Sequence, residues 1–154
     1  MPNQAPIQIG KMVAPERVIE LKSNTKGDAL AELVEAISTA PEVLSKVDLM
    51  KAITEREKIM STGIGLGIAV PHAKIPSVRD FCIAVGLARQ GIAFDSIDDK
   101  PVHIMVMIAA SDAQKDQYVK VLAAVVLLLK NEEFRRKLLA VSSPQEAYEL
   151  IKDR

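Results

Sequence analysis

The sequence predicts an α/β chain of the α+β type: a mixed β-sheet covered by helices on both faces. Three observations lead there. Two segments, FCIAVGLAR (81–89) and PVHIMVMIAA (101–110), are apolar at successive positions, as strands covered on both faces are. The stretches around them carry helical periodicity with capping residues at their starts. The order reads strand, two helices, several strands, three helices, which a sheet between helical layers accommodates. The 154 residues fit one domain with a sizeable core.

Residues 1–14 bear Pro and Gln without periodicity and are expected to form a loose arm, leaving 15–154 as the folded domain. RVIELK (17–22) alternates and predicts a short strand near an edge. Thr25 can cap the next helix, with Asp28 three residues on and Leu30, Leu33, Val34 and Ile37 sharing one face. Pro41 interrupts. A second helix is expected over 47–59, with Val47, Met50 and Ile53 on one side and charges on the other. The segment STGIGLGIAVPHAK (61–74) follows. QGIAFDSIDDK (90–100) connects the two apolar strands. Residues 116–129 are apolar nearly all round, which predicts a helix buried on several sides. Asn131 can cap the helix after it. Ser143, Pro144 and Glu146 supply a cap, a proline at the first helical position and a capping-box acid for the last.

Composition narrows the function. Lys plus Arg equals Asp plus Glu, so no basic footprint for nucleic acid or an acidic membrane surface is present. A lone cysteine, Cys82, cannot form an internal disulfide and reads as a small buried apolar side chain in a reducing compartment. The first ten residues lack the charged and apolar regions of a signal peptide. The run VLAAVVLLL (121–129) is too short to span a bilayer. A cytoplasmic chain is expected.

The 61–74 segment holds three glycines at alternate positions, then Pro71, then one of only two histidines. The third glycine of a dinucleotide fingerprint would fall on Ile68, and no Gly-Lys-Ser/Thr follows for a P-loop. Two histidines and one cysteine are a thin supply of metal ligands, so no metal and no cofactor is expected. The glycines can simply shape a turn and a bulge. They can also let backbone N–H groups approach an anion, with Ser61 and Thr62 as hydroxyl donors. Pro71 restricts itself and Val70, holding His72 in place. An imidazole with an ordinary pKa of about 6.5 is mostly neutral near pH 7 and has a lone pair to donate. That suits a histidine that accepts and passes on a phosphoryl group; a general base would look the same from one residue.

EREKIMSTGIGLGIAVPHAK (55–74) resembles the active-site signature of type 2 enzyme IIA domains, the fructose, mannitol and nitrogen-regulatory class of the bacterial phosphotransferase system. The likeness runs over about residues 12–151. It implies a three-layer α/β/α sandwich with a central mixed sheet. It implies a phosphocarrier that takes a phosphoryl group from phospho-HPr and passes it to a IIB domain for sugar uptake. Nitrogen-type members instead control partner proteins by their phosphorylation state, with no dedicated sugar. A scaffold of the same fold with a dead site is a third reading, which the intact motif argues against. No permease-like helices or IIB segment is read here, so partners are expected in trans, with membranes met only through a permease. A second copy of the chain is a further candidate partner.

Residue by residue, the resemblance makes His72 the phosphoryl acceptor. It makes Arg56 the arginine whose planar fork neutralises phosphate oxygens; on its own Arg56 reads equally as a solvated helix residue. Ser61, Thr62 and Gly63 fall on the loop beside the histidine. One position departs: Tyr118 stands where members often carry a second histidine, and tyrosine donates a hydrogen bond without titrating near neutrality. His103 lies early in an apolar strand. It reads first as a core or strand-end histidine, with a supporting role at the site as the alternative.

Overall fold

The computed structural model describes residues 6–154 and has the expected sandwich. Its elements are β1 (Val18–Glu20), α1 (Lys26–Ile37), α2 (Lys46–Ile59), β2 (Gly63–Gly65), β3 (Ile68–Ala69), β4 (His72–Lys74), β5 (Cys82–Ile92), β6 (Val102–Ala110), α3 (Lys115–Lys130), α4 (Glu132–Ala140) and α5 (Pro144–Ile151). The sheet runs β1-β5-β6-β3-β2, with β4 also on β6. β5 and β6 are antiparallel and central, while β1 joins β5, and β3 and β4 join β6, in parallel. β3 and β4 lie end to end along β6. Pro71, which has no N–H to give a ladder, separates them, and its carbonyl accepts Ile108 N–H at 3.0 Å.

Alternate residues of β5 and β6 point to opposite faces, which makes two apolar layers. Leu30, Leu33, Val34 and Ile37 of α1 and Leu49 and Ile53 of α2 pack on Ala84, Met105 and Met107. Val121, Val125, Phe134, Leu138 and Ile151 pack on Ile83, Val85, Ile104, Val106 and Ile108. A fully buried side chain such as Leu33 contributes roughly 1.5–3 kcal/mol. The caps expected at Thr25, Asn131 and Ser143 form, and Ser45 caps α2 as well: each accepts the N–H three residues on. The return bond of Glu146 goes to Ser142 N–H, at 2.9 Å.

Three expectations change. On α2 the buried line is Leu49, Ile53 and Glu57, while Val47 is 75 % exposed. The helix lies one step round from the expected face, because α1 and β4 cover it from the side of Leu49. On α3 only Tyr118, Val121, Val125 and Leu129 are buried, and Val119 and Leu127 are exposed. That helix rests on one sheet face with α4 beside it, so one stripe suffices. The arm expected over 1–14 is packed where it is described, residues 1–5 lying outside the described part. Ile9 and Val13 join the core, and Gly10 N–H donates to the Arg154 carbonyl at 2.9 Å. Among the described residues no helix is long and apolar enough to cross a membrane.

Candidate active site

β2 and β3 form a tight hairpin whose central residues, Leu66 and Gly67, both have positive φ (60° and 75°). Such turns match the twist of paired strands, and glycine enters them without steric cost. The hairpin presents Val70 and Pro71 to the edge of β6, and β4 then carries His72 opposite Ile108.

The imidazole is half-buried. Its Nδ1 lies 2.8 Å from the Val70 carbonyl, which can only accept, so Nδ1 carries the proton in the neutral ring and Nε2 keeps the lone pair. Burial holds the pKa of His72 below the ordinary imidazole value. The Val70 carbonyl opposes this, the charge of Arg56 adds to it and that of Glu57 works against it. Tyr118, far away in sequence, meets His72 ring edge to ring face, with centroids 5.8 Å apart and planes at 61°. Burial pushes the Tyr118 phenol well above its usual pKa, with Arg56 acting the other way. The phenol is therefore neutral at any ordinary pH. Lys74 Nζ lies 5.3 Å from the centroid of the same ring. Arg56 sits in the last turn of α2, and its Nη1 donates to the Met60 carbonyl at 2.8 Å, satisfying an acceptor at the helix end.

The loop residues behave differently from the expectation of free anion donors. Ser61 Oγ donates to the Phe94 carbonyl at 2.7 Å and accepts Gly63 N–H at 3.1 Å. Thr62 Oγ1 donates to Glu57 Oε2 at 2.5 Å, and Thr62 N–H donates to Glu57 Oε1 at 2.9 Å. These donors are spent inside the protein, so the loop frames the site. His103 is placed away from it. It sits five positions before Ile108 on β6, roughly 16 Å along the strand, and on the face of Met105 rather than that of the Tyr118 layer. Its Nδ1 lies 3.0 Å from the Ala88 carbonyl. Cys82 is buried, which pushes its thiol up to about 12 and leaves it inert.

Sequence reasoning passed over Glu57 and Lys26. Lys26 Nζ lies 3.0 Å from Glu57 Oε1. The signal was the helical spacing Leu49, Ile53, Glu57, which puts a carboxylate on the buried stripe just before the glycine loop.

The family model for the phosphoenolpyruvate-dependent sugar phosphotransferase system, EIIA 2, matches residues 12–154. The fructose-specific EIIA component of Haloferax volcanii is 32% identical over 90% of this chain and 92% of its own. A nitrogen regulatory protein of Bradyrhizobium diazoefficiens is 30% identical over 93% of this chain and 94% of its own. The fructose-specific EIIABC component of Bacillus subtilis is 34% identical over 86% of this chain, which spans 21% of that protein's length. The crystal structure of nitrogen regulatory protein IIA-Ntr from Neisseria meningitidis superposes with a TM-score of 0.85 at 24% identity, covering 93% of this chain and 98% of that one. Enzyme IIA for mannitol from Escherichia coli, in complex with its phosphorylated enzyme IIB, gives 0.74 at 24% identity, covering 90% and 96%.

Proposed function

The chain belongs to the EIIA type 2 family of the phosphoenolpyruvate-dependent sugar phosphotransferase system, whose members are phosphotransferase components, and from that membership we propose that His72 Nε2 is the atom that carries the phosphoryl group. The observation that carries this reading is the Nδ1 contact with the Val70 carbonyl. It leaves Nε2 as the nucleophile. A bond from Nε2 to phosphorus forms as the donor's bond to phosphorus breaks. The positive charge that develops on the ring is then shared with Nδ1–H and its carbonyl acceptor. Arg56 supplies charge beside the phosphoryl oxygens, and Ser61, Thr62 and Gly63 set the wall of the site. The donor is phospho-HPr in the cytoplasm, and the acceptor is a IIB domain that serves sugar uptake. Ile59, Met60, Leu66 and Ile97 are exposed large apolar side chains on and around the loop, the kind of surface a protein partner covers.

A second reading, regulation of partner proteins by phosphorylation state, draws on the nitrogen regulatory relatives and on Tyr118, which cannot titrate as a second histidine would. Incubation with phosphoenolpyruvate, enzyme I and HPr tests both. An acid-labile, alkali-stable adduct that is discharged by a IIB domain is expected. An adduct that no IIB domain discharges favours regulation, and no adduct at all ends the phosphocarrier reading.

Two site variants test the neighbours of His72. Arg56→Lys keeps the charge and loses the fork that spans two oxygens, so transfer should slow while the fold stays. Rates equal to wild type in stopped reactions with phospho-HPr would make Arg56 a surface residue. Tyr118→Phe keeps the ring contact and removes the hydroxyl. A net hydrogen bond contributes about 0.5–1.5 kcal/mol, so transfer should fall roughly 2- to 13-fold. Abolished transfer would mean that Tyr118 does more than donate one hydrogen bond to the phosphoryl group.

A further inference from the structure

We infer that Glu57, together with Lys26, is a positioning residue for the reaction at His72: it clamps Thr62 and through it the backbone that orients the imidazole. The inference rests on the reading of His72 as phosphoryl acceptor. Glu57 lies on the buried stripe of α2 with only 8% of its surface exposed. Its Oε1 accepts Thr62 N–H at 2.9 Å and the Lys26 ammonium at 3.0 Å, and its Oε2 accepts the Thr62 hydroxyl at 2.5 Å. A buried carboxylate holds its charge only with such partners, and bonds to a charged acceptor are short and strong.

The clamp reaches the histidine through the backbone. The Thr62 carbonyl accepts Val70 N–H at 3.0 Å, and the Val70 carbonyl takes His72 Nδ1 at 2.8 Å. Glu57, Thr62, Val70 and His72 thus form one continuous chain of hydrogen bonds. The last of them selects the tautomer that frees Nε2. Lys26 ties the other side. Its Nζ lies 4.5 Å from the Phe94 ring centroid and 3.4 Å from the Phe94 carbonyl, which also receives the Ser61 hydroxyl. The first turn of α1, the end of α2 and the β5–β6 connector therefore meet on one carboxylate. A buried Glu57 is out of reach of a docking protein. Its loss should appear in turnover and leave the affinity for the donor alone.

The test measures transfer from phospho-HPr across donor concentration for wild type, Glu57→Ala, Glu57→Gln and Lys26→Met, with amide exchange of Thr62 followed in each. Glu57→Ala should lower kcat by about 10- to 100-fold, the cost of misplacing a reacting group by about 1 Å, at unchanged donor KM. Glu57→Gln keeps an acceptor oxygen for Thr62 N–H and should recover most of that loss. Thr62 exchange should quicken in the same order. If Glu57→Ala fails to fold, Glu57→Gln and Lys26→Met decide, each with a smaller fall in kcat. A kcat within about twofold of wild type in every folded variant, or a loss seen in KM alone, overturns the positioning role. So does a loss in Glu57→Ala that Glu57→Gln does not relieve. A wild type that takes no phosphoryl group overturns the reading of His72 and this inference with it. Normal wild-type transfer with unaffected variants overturns the positioning role alone.

Discussion

His72→Ala is expected to take no phosphoryl group from phospho-HPr and to pass none on, while remaining folded. A covalent carrier has no partial activity without its acceptor atom, so this loss is complete rather than graded. The fold should survive because the ring is half-buried at the edge of β6 and makes one hydrogen bond, to Val70. Losing that bond costs about 0.5–1.5 kcal/mol. Label retained in the alanine variant, mapped by phosphopeptides, would move the acceptor elsewhere. The acid limb of the wild-type rate carries a second signature. Only the neutral ring has a free lone pair, and burial lowers the folded pKa. Transfer should therefore hold as pH falls through about 6.5, where an ordinary histidine is half charged, and decline below it. The unfolded chain binds the proton more readily. The stability from a neutral His72 is thus full above about 6.5 and is lost as pH falls through the lower folded value. An NMR titration of the ring with a midpoint above 6.5 would contradict both.

What could be read in the sequence is what short-range chemistry decides. The double-faced apolar strands, and Thr25 and Ser143 as caps, each act within a few residues, and each stands as expected. Phase and partnership were harder. Val47 and Leu49 are both apolar, and only the neighbours of α2 choose which of them is buried. The apolar surface of α3 exceeds what one sheet face can cover, so Val119 and Leu127 stay out. Ser61 and Thr62 looked like donors to an anion because hydroxyl direction has no sequence signature. Ser61 bonds to Phe94, 33 residues on, and Thr62 turns to a carboxylate that helical spacing brings under the loop. Ile9 and Val13 were hidden in a segment without periodicity, since contact with the C-terminal turn holds them.

Gly63→Ala is expected to lower the thermal midpoint and to slow transfer, although its backbone is not among the left-handed residues. The glycine is required by close approach. A Cβ there would lie 2.4 Å from Ser96 Oγ, 3.0 Å from Ser96 Cα and 3.1 Å from Ser96 Cβ. Gly63 is also tied in place, because its carbonyl accepts Ile97 N–H at 3.0 Å and its N–H donates to Ser61 Oγ. The added methyl must therefore push the β5–β6 connector outward or shift the loop next to Thr62. Overpacking of this kind costs about 1–3 kcal/mol, which for a chain of this length lowers the midpoint by roughly 2–12 °C. Ser96 is 5% exposed, and its hydroxyl has no hydrogen-bond partner in the described structure. Removing that hydroxyl sacrifices no bond. Ser96→Gly in the Gly63→Ala background deletes two of the three clashing atoms and should restore part of both the midpoint and the transfer rate. A Gly63→Ala protein with wild-type midpoint and rate would show that the connector yields freely. A loss that Ser96→Gly leaves untouched would place the strain in the tie to Ile97 instead.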